Sequence, residues 1–260
     1  LRLYILIASI DPFVCFLNEE GLARFATEDY VYPNKHNIKN GYMHLTNYSL
    51  NKMNIEKYIY SEETEEINLG TKRTLTSFWK SIKKEGYDKD DIINSIEELL
   101  RNLLCSIYPF VTYNQKMWFG QKKARPYHIL GIDVMIDSDL KPWLLELNSN
   151  PSFCIDHDTD PHGPKIRIKG EPKENLICPV DVFVKERVIE DALIIMRKKV
   201  ENSISVGKGE MFNSYKLLLD GDIEEMEEMD LFTKLLEVYG ALSGYKFRGC
   251  ITNTKFNKIV

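Results

Sequence analysis

The sequence predicts an α+β fold, an antiparallel sheet with packed helices, on three observations. Leu1 to Ser9 (LRLYILIAS) is a β-rich run. Tyr127 to Ile136 and Lys141 to Asn148 are two more such runs, joined by the turn signal Asp137-Ser138-Asp139 and so able to pair as a hairpin. Helical stretches cover Asp90 to Tyr108 and Val180 to Val200.

Taken in order, the first strand puts Leu1, Leu3, Ile5 and Ile7 on one face and Arg2, Tyr4 and Leu6 on the other. Asp11-Pro12 marks a turn. Residues 33–41 read as loop and Thr71 to Glu85 as a helix. The helix after it carries a stripe of Ile92, Ile93, Ile96, Leu99, Leu100, Leu103, Leu104 and Ile107, with Asp88 or Asp90 available as its cap. Residues 156–179 are proline-rich and loop-like. Residues 1–200 read as one core unit, 201–209 (ENSISVGKG) as a linker, and 210–260 as a small helical tail.

With 260 residues, 43% hydrophobic and 28% charged, the chain can bury a sizeable core. A net charge of -5 argues against nucleic acid as the main partner. No apolar run reaches membrane-spanning length, so no membrane is expected as a partner. The cysteines Cys15, Cys105, Cys154, Cys178 and Cys250 are odd in number and form no CxxC pair, which fits a reducing compartment rather than a disulfide framework. The sequence opens on Leu1 inside a strand run and reads as part of a longer protein.

The hairpin carries the chemistry. Leu130, Ile132, Val134 and Ile136 share one face of its first strand, with Asp133 on the other. On the second strand Glu146 and Asn148 oppose Trp143, Leu145 and Leu147. A turn near Ser138 to Leu140 sets Asp133 across from Glu146, to within a residue. Carboxylates about 5 Å apart at Cβ repel unless a proton or a cation compensates. With the amide oxygen of Asn148 they make an all-oxygen set of the kind magnesium prefers beside substrate phosphates. By itself the pattern also fits the wet face of an edge hairpin.

Six motifs extend this reading: LRLYILIASIDP (1–12), EGLARFATEDY (20–30), MHLTNYSLNK (43–52), GTKRTL (70–75), GIDVMID (131–137) and LLELNSNPSF (144–153). In order and spacing, across about residues 1–200, they resemble the tubulin tyrosine ligase-like family. The resemblance implies the C-terminal part of an ATP-grasp fold, with ATP and Mg2+ as cofactors. It also implies ligation of an amino acid to tubulin through an acyl phosphate. By position Asp133, Glu146 and Asn148 match the magnesium ligands, and Thr46 and Asn47 match nucleotide contacts. Arg2 matches the arginine near the incoming amino acid and phosphoryl group; it and Glu146 are the expected catalytic residues. Tyr48, Ser49 and Lys72 match positions lining the amino-acid pocket of glutamylating members.

Two departures matter. The phosphate-covering glycine-rich loop and the adenine hinge would precede Leu1, so this stretch alone is expected to bind ATP poorly and to be inactive. Some glutamylating members carry histidine after the metal-binding asparagine, where Ser149 stands here. The run LNSNPSFCIDHD (147–158) is similar to polyglutamylases with a small residue there, which favours glutamate. Glycine or tyrosine ligation, or non-catalytic microtubule binding, are the alternatives. The expected setting is a monomer in the cytoplasm, on the microtubule cytoskeleton or in a cilium or flagellum.

Asp220 to Asp230 starts like a calcium loop, but Glu225 and Leu231 stand where glycine and glutamate belong, which leaves a solvated acidic helix. Residues 231–260 read as helix–loop–helix and resemble the metal-free EF-hand-like units of tubulin polymerization-promoting proteins.

Overall fold

The computed structural model describes residues 1–61, 64, 70–119, 126–155, 177–200 and 209–220. Strand β1 (Arg2–Ile10) is the centre of the sheet. On one side it pairs with β5 (His128–Ile136), which pairs in turn with β6 (Pro142–Asn148). On the other side it meets β2 (Phe13–Asn18) and then, at Arg2, β3 (Leu22–Arg24). Strand β4 (Lys72–Thr74) extends the sheet beyond β3, and every pairing is antiparallel. Gly21 makes the corner between β2 and β3, because a Cβ there would stand 2.3 Å from the Arg2 carbonyl oxygen.

A strand covered on both faces needs apolar residues at nearly every position, and β1 supplies them. Leu3, Ile5 and Ile7 pack, with Leu130, Ile132 and Val134, against Ile92, Ile96, Leu100 and Leu104 of α4 (Lys89–Phe119). The four-residue spacing of that stripe places it on one side of the helix. Leu6 and Ala8 turn the other way, towards Ala192, Ile195 and Met196 of α5 (Pro179–Val200). Tyr4 packs against Val180, Val184 and Val188 of the same helix. The sheet is thus sandwiched between α4 and α5.

Three segments differ from the sequence reading. Residues 72–74 are strand rather than helix, because the edge of β3 offers them a ladder; Thr74 then caps α3 (Leu75–Lys84), accepting from the Ser77 amide. Helix α4 runs through Pro109 to Phe119, although a proline inside a helix removes one backbone donor and crowds the preceding turn.

The boundary at 210 is the third. Residues 211–220 are not helical: β7 (Met211–Phe212) and β8 (Tyr215–Asp220) form a hairpin that joins the sheet along β2. Asn213 takes a φ of 52° in its two-residue turn, a conformation asparagine tolerates. Lys216 pairs with the buried Glu97 of α4 at 2.6 Å, and Asp191 of α5 accepts from the Ser214 amide at 3.2 Å. The linker residues 201–208, the acidic run after Asp220 and the helix–loop–helix to residue 260 lie outside the described residues.

Among the described residues no helix is long and apolar enough to cross a membrane, and Cys15, Cys105, Cys154 and Cys178 form no disulfide with one another.

Candidate active site

The antiparallel registers bring three charged side chains into one row across three strands. Arg2 of β1 is opposite Asp133 of β5, and Asp133 is opposite Glu146 of β6. Arg2 holds Asp133 at two points, Nε to Oδ1 at 2.5 Å and Nη2 to Oδ2 at 2.9 Å. Its Nη2 also lies 4.0 Å from Oε1 of the exposed Glu146. Asn148 donates its Nδ2 to that Oε1 at 2.9 Å, leaving its amide oxygen available. Burial works to raise the Asp133 pKa, but the Arg2 hydrogen bonds and charge outweigh it and hold the carboxyl below its usual value. Gly131 makes room for the row, since a Cβ there would meet Pro151 Cβ at 2.8 Å and Arg2 Cδ at 3.3 Å.

Beside the row opens a cleft of roughly 460 Å3, with Arg24, Thr46, Asn47, Asp133 and Glu146 as its polar lining and Phe25, Phe78, Ile136 and Leu145 among its apolar walls. Thr46 and Asn47 join two short helices, α1 (Gly41–His44) and α2 (Tyr48–Asn51). Asn47 sits at the cap position of α2, yet its side chain makes no capping bond. The buried Asn51 pins this junction by donating to the carbonyls of Leu45 at 2.7 Å and Asn47 at 3.1 Å. Its Oδ1 accepts from both the amide and the hydroxyl of Thr27 at 2.9 Å. The sequence reading did not single out Asn51, although it lies inside a quoted motif.

A second charged group sits on the α5 side. Asp181 forms ion pairs with Lys72 of β4 and, at 2.8 Å, with Lys185 one turn along α5. All three are buried. Burial works to raise the Asp181 pKa, but the Lys72 and Lys185 charges outweigh it and hold it below its usual value. Lys72 Nζ also lies 4.6 Å from the centre of the Tyr48 ring, and Lys185 donates to the Cys154 carbonyl. Ser49 is exposed and, among the described residues, bonds to neither group.

Tyr4 and Arg24 lie within reach of the charges of both groups. The fields of Arg2, Asp133 and Asp181 all reach both residues, and burial pulls the Arg24 pKa down. Among the described residues, the buried Arg24 Nε has no hydrogen-bond partner, and neither has the Tyr4 hydroxyl. The described part of the site holds four cations (Arg2, Arg24, Lys72, Lys185) against three carboxylates (Asp133, Glu146, Asp181). Of these the sequence reading missed Arg24, Asp181 and Lys185. Their signal was a charged residue in a quoted motif and an i,i+4 pair on a buried helix face.

The arrangement suits anions that arrive with a hard cation. Asp133, Glu146 and Asn148 offer oxygen atoms on adjacent strands, a donor set that fits magnesium. The unpartnered Arg24 Nε and the excess of cations suit carboxylate or phosphate oxygens.

The model of the tubulin-tyrosine ligase family matches residues 1–166. Tubulin polyglutamylase TTLL6 of Mus musculus is 40% identical over 199 residues, covering 74% of this chain and 22% of the relative. A probable beta-tubulin polyglutamylase of Tetrahymena thermophila is 33% identical over 220 residues, 84% of this chain and 16% of the relative. Tubulin polyglutamylase TTLL7 of Homo sapiens is 40% identical over 164 residues, 62% of this chain and 18% of the relative. The chain therefore spans about a fifth of the length of the curated relatives it matches. From the family match and the shared sequence, this chain belongs to the tubulin-tyrosine ligase family.

Proposed function

We propose that the protein carrying this chain is a tubulin polyglutamylase, an ATP-dependent ligase of ATP-grasp fold that joins glutamate to a carboxylate of tubulin. The observation that carries the reading is the Arg2–Asp133–Glu146 row, whose two acids line the cleft. Arg2 offsets the charge of Asp133, and the exposed Glu146 beside it, with the Asn148 amide oxygen, completes an oxygen donor set that suits a hard cation. The family membership and the polyglutamylase names of the relatives support the substrate and the amino acid.

The chemistry is a carboxylate activation. Transfer of the ATP γ-phosphoryl group to a tubulin carboxylate oxygen gives an acyl phosphate and ADP. The glutamate amine then attacks the acyl carbon, an amide forms, phosphate leaves with the C–O bonding pair, and the amine loses a proton. Magnesium, when bound, neutralises charge on the transferring phosphate. Asp133, Glu146 and Asn148 would hold it. Arg2, oriented by Asp133, is placed to stabilise negative charge on the phosphoryl or acyl oxygens. Thr46 and Asn47 offer a hydroxyl and an amide to the nucleotide. Lys72 and Lys185, with Tyr48 beside them, supply positive charge for a substrate with two carboxylates, which favours glutamate over glycine or tyrosine.

The test is incorporation of radiolabelled glutamate, glycine and tyrosine, offered separately with ATP, magnesium and microtubules to the complete gene product. The expected result is glutamate incorporation that Glu146→Gln abolishes. Incorporation of glycine or tyrosine instead would overturn the choice of amino acid. Microtubule binding with no incorporation would overturn the enzyme reading.

A further inference from the structure

We propose that Tyr4 is a substrate-contacting, specificity-determining residue whose hydroxyl donates a hydrogen bond to a carboxylate of the incoming amino acid. The inference rests on the ligase reading above. Tyr4 lies on the central strand with no exposed surface, and its hydroxyl has no hydrogen-bond partner among the described residues. Buried polar atoms without a partner are rare, and each calls for an explanation.

The surroundings supply one. Tyr4 faces the same side of β1 as Arg2, and it feels the charges of Arg2, Arg24, Asp133 and Asp181. Its strand neighbour on that face is Arg2, and its ring packs on Val180 and Val184 of α5, residues to either side of Asp181 in that helix. Arg24 Nε, coupled to the same charges, is the second unpartnered donor. Two idle donors within an excess of positive charge complement a carboxylate, which only accepts. The ring is fixed for this task, stacked on Phe153 at 6.0 Å and packed on the valines of α5. Burial pushes the Tyr4 pKa up to about 12, so the hydroxyl keeps the proton it would donate.

The test is Tyr4→Phe in the complete gene product, with two readouts. A hydrogen bond to a charged group that is present before and during reaction sets KM rather than kcat. The KM for glutamate should rise roughly ten- to hundredfold, while kcat and the KM for ATP hold within about twofold. Without substrate, the Tm should be unchanged or higher, because the variant loses a buried hydroxyl that bonds to nothing. An unchanged KM for glutamate overturns the assignment and leaves the ligase reading standing. A lower Tm with unchanged KM would make the hydroxyl structural, which also overturns it. If the unsubstituted protein incorporates no glutamate, the ligase reading falls and takes this assignment with it.

Discussion

Arg2 and Asp133 are register partners on β1 and β5, and their side chains meet at two points within 2.9 Å. Asp133 faces Glu146 on its other flank, so one carboxylate is shared between an arginine and a second acid. The strand order therefore sets the charge order, because alternation along each strand turns all three side chains to one face.

This pairing separates two substitutions that a metal-ligand reading alone would treat alike. Asp133→Asn leaves Arg2 buried without its counter-charge, which should cost about 3 kcal/mol of stability. Glu146 has 59% of its side chain exposed, so Glu146→Gln should stay within about 0.5 kcal/mol of the parent. Both should lose glutamate incorporation. Urea unfolding of each variant checks the contrast, and equal stabilities would show that the ion pair is not part of the folded core.

Asp181 makes a pH prediction. Its pKa is lowered in the folded state, since Lys72 and Lys185 outweigh the effect of burial. A depressed carboxyl stabilises the fold above its unfolded pKa of about 3.9, and that contribution is lost as pH falls through the lower native value. Asp181→Asn strands two buried lysines and should cost about 3–5 kcal/mol near neutral pH. The gap between parent and variant should narrow below about pH 4. Denaturant unfolding at several pH values measures it, and a gap that widens in acid would contradict the ion-pair account.

The parts legible in the sequence were those with a strong local period. The hairpin register that puts Asp133 opposite Glu146 followed from alternation and one turn. Strand β1 and the stripe on α4 followed in the same way. Strands β3, β4 and β7 span only two or three residues, too few for a period to show. They exist because a neighbouring strand supplies a ladder. The charged group on α5 was illegible for another reason: Asp181 and Lys185 look like an ordinary surface pair until the fold buries them against Lys72. Tyr4 read only as a neighbour of Arg2 on one face of the first strand, and the missing partner of its hydroxyl marks it out.

Gly131 carries a steric prediction. Its missing side chain lets Pro151 and Arg2 close over β5, because a Cβ there would stand only 2.8 Å from Pro151 Cβ and 3.3 Å from Arg2 Cδ. Gly131→Ala should cost about 1–3 kcal/mol through overpacking. It should also cut incorporation more than this stability loss explains, because one displaced atom belongs to Arg2. Activity at a temperature where the variant is fully folded separates the two effects, and parental activity there would mean that Pro151 alone yields.

The β7–β8 hairpin gives the last contrast. Tyr215 is as buried as Tyr4, but its hydroxyl donates to the Val188 carbonyl of α5 at 3.0 Å. Tyr215→Phe deletes a made hydrogen bond and should cost about 1 kcal/mol, where Tyr4→Phe should cost none. Leu218 points to the opposite face, into the core beneath α4. Leu218→Ala should therefore cost about 2–5 kcal/mol through the cavity it leaves. Denaturant unfolding of the three variants side by side tests whether residues 211–220 are built into the core. If Leu218→Ala and Tyr215→Phe both unfold like the parent, the hairpin contributes nothing to the fold and its pairing with β2 is not maintained in solution.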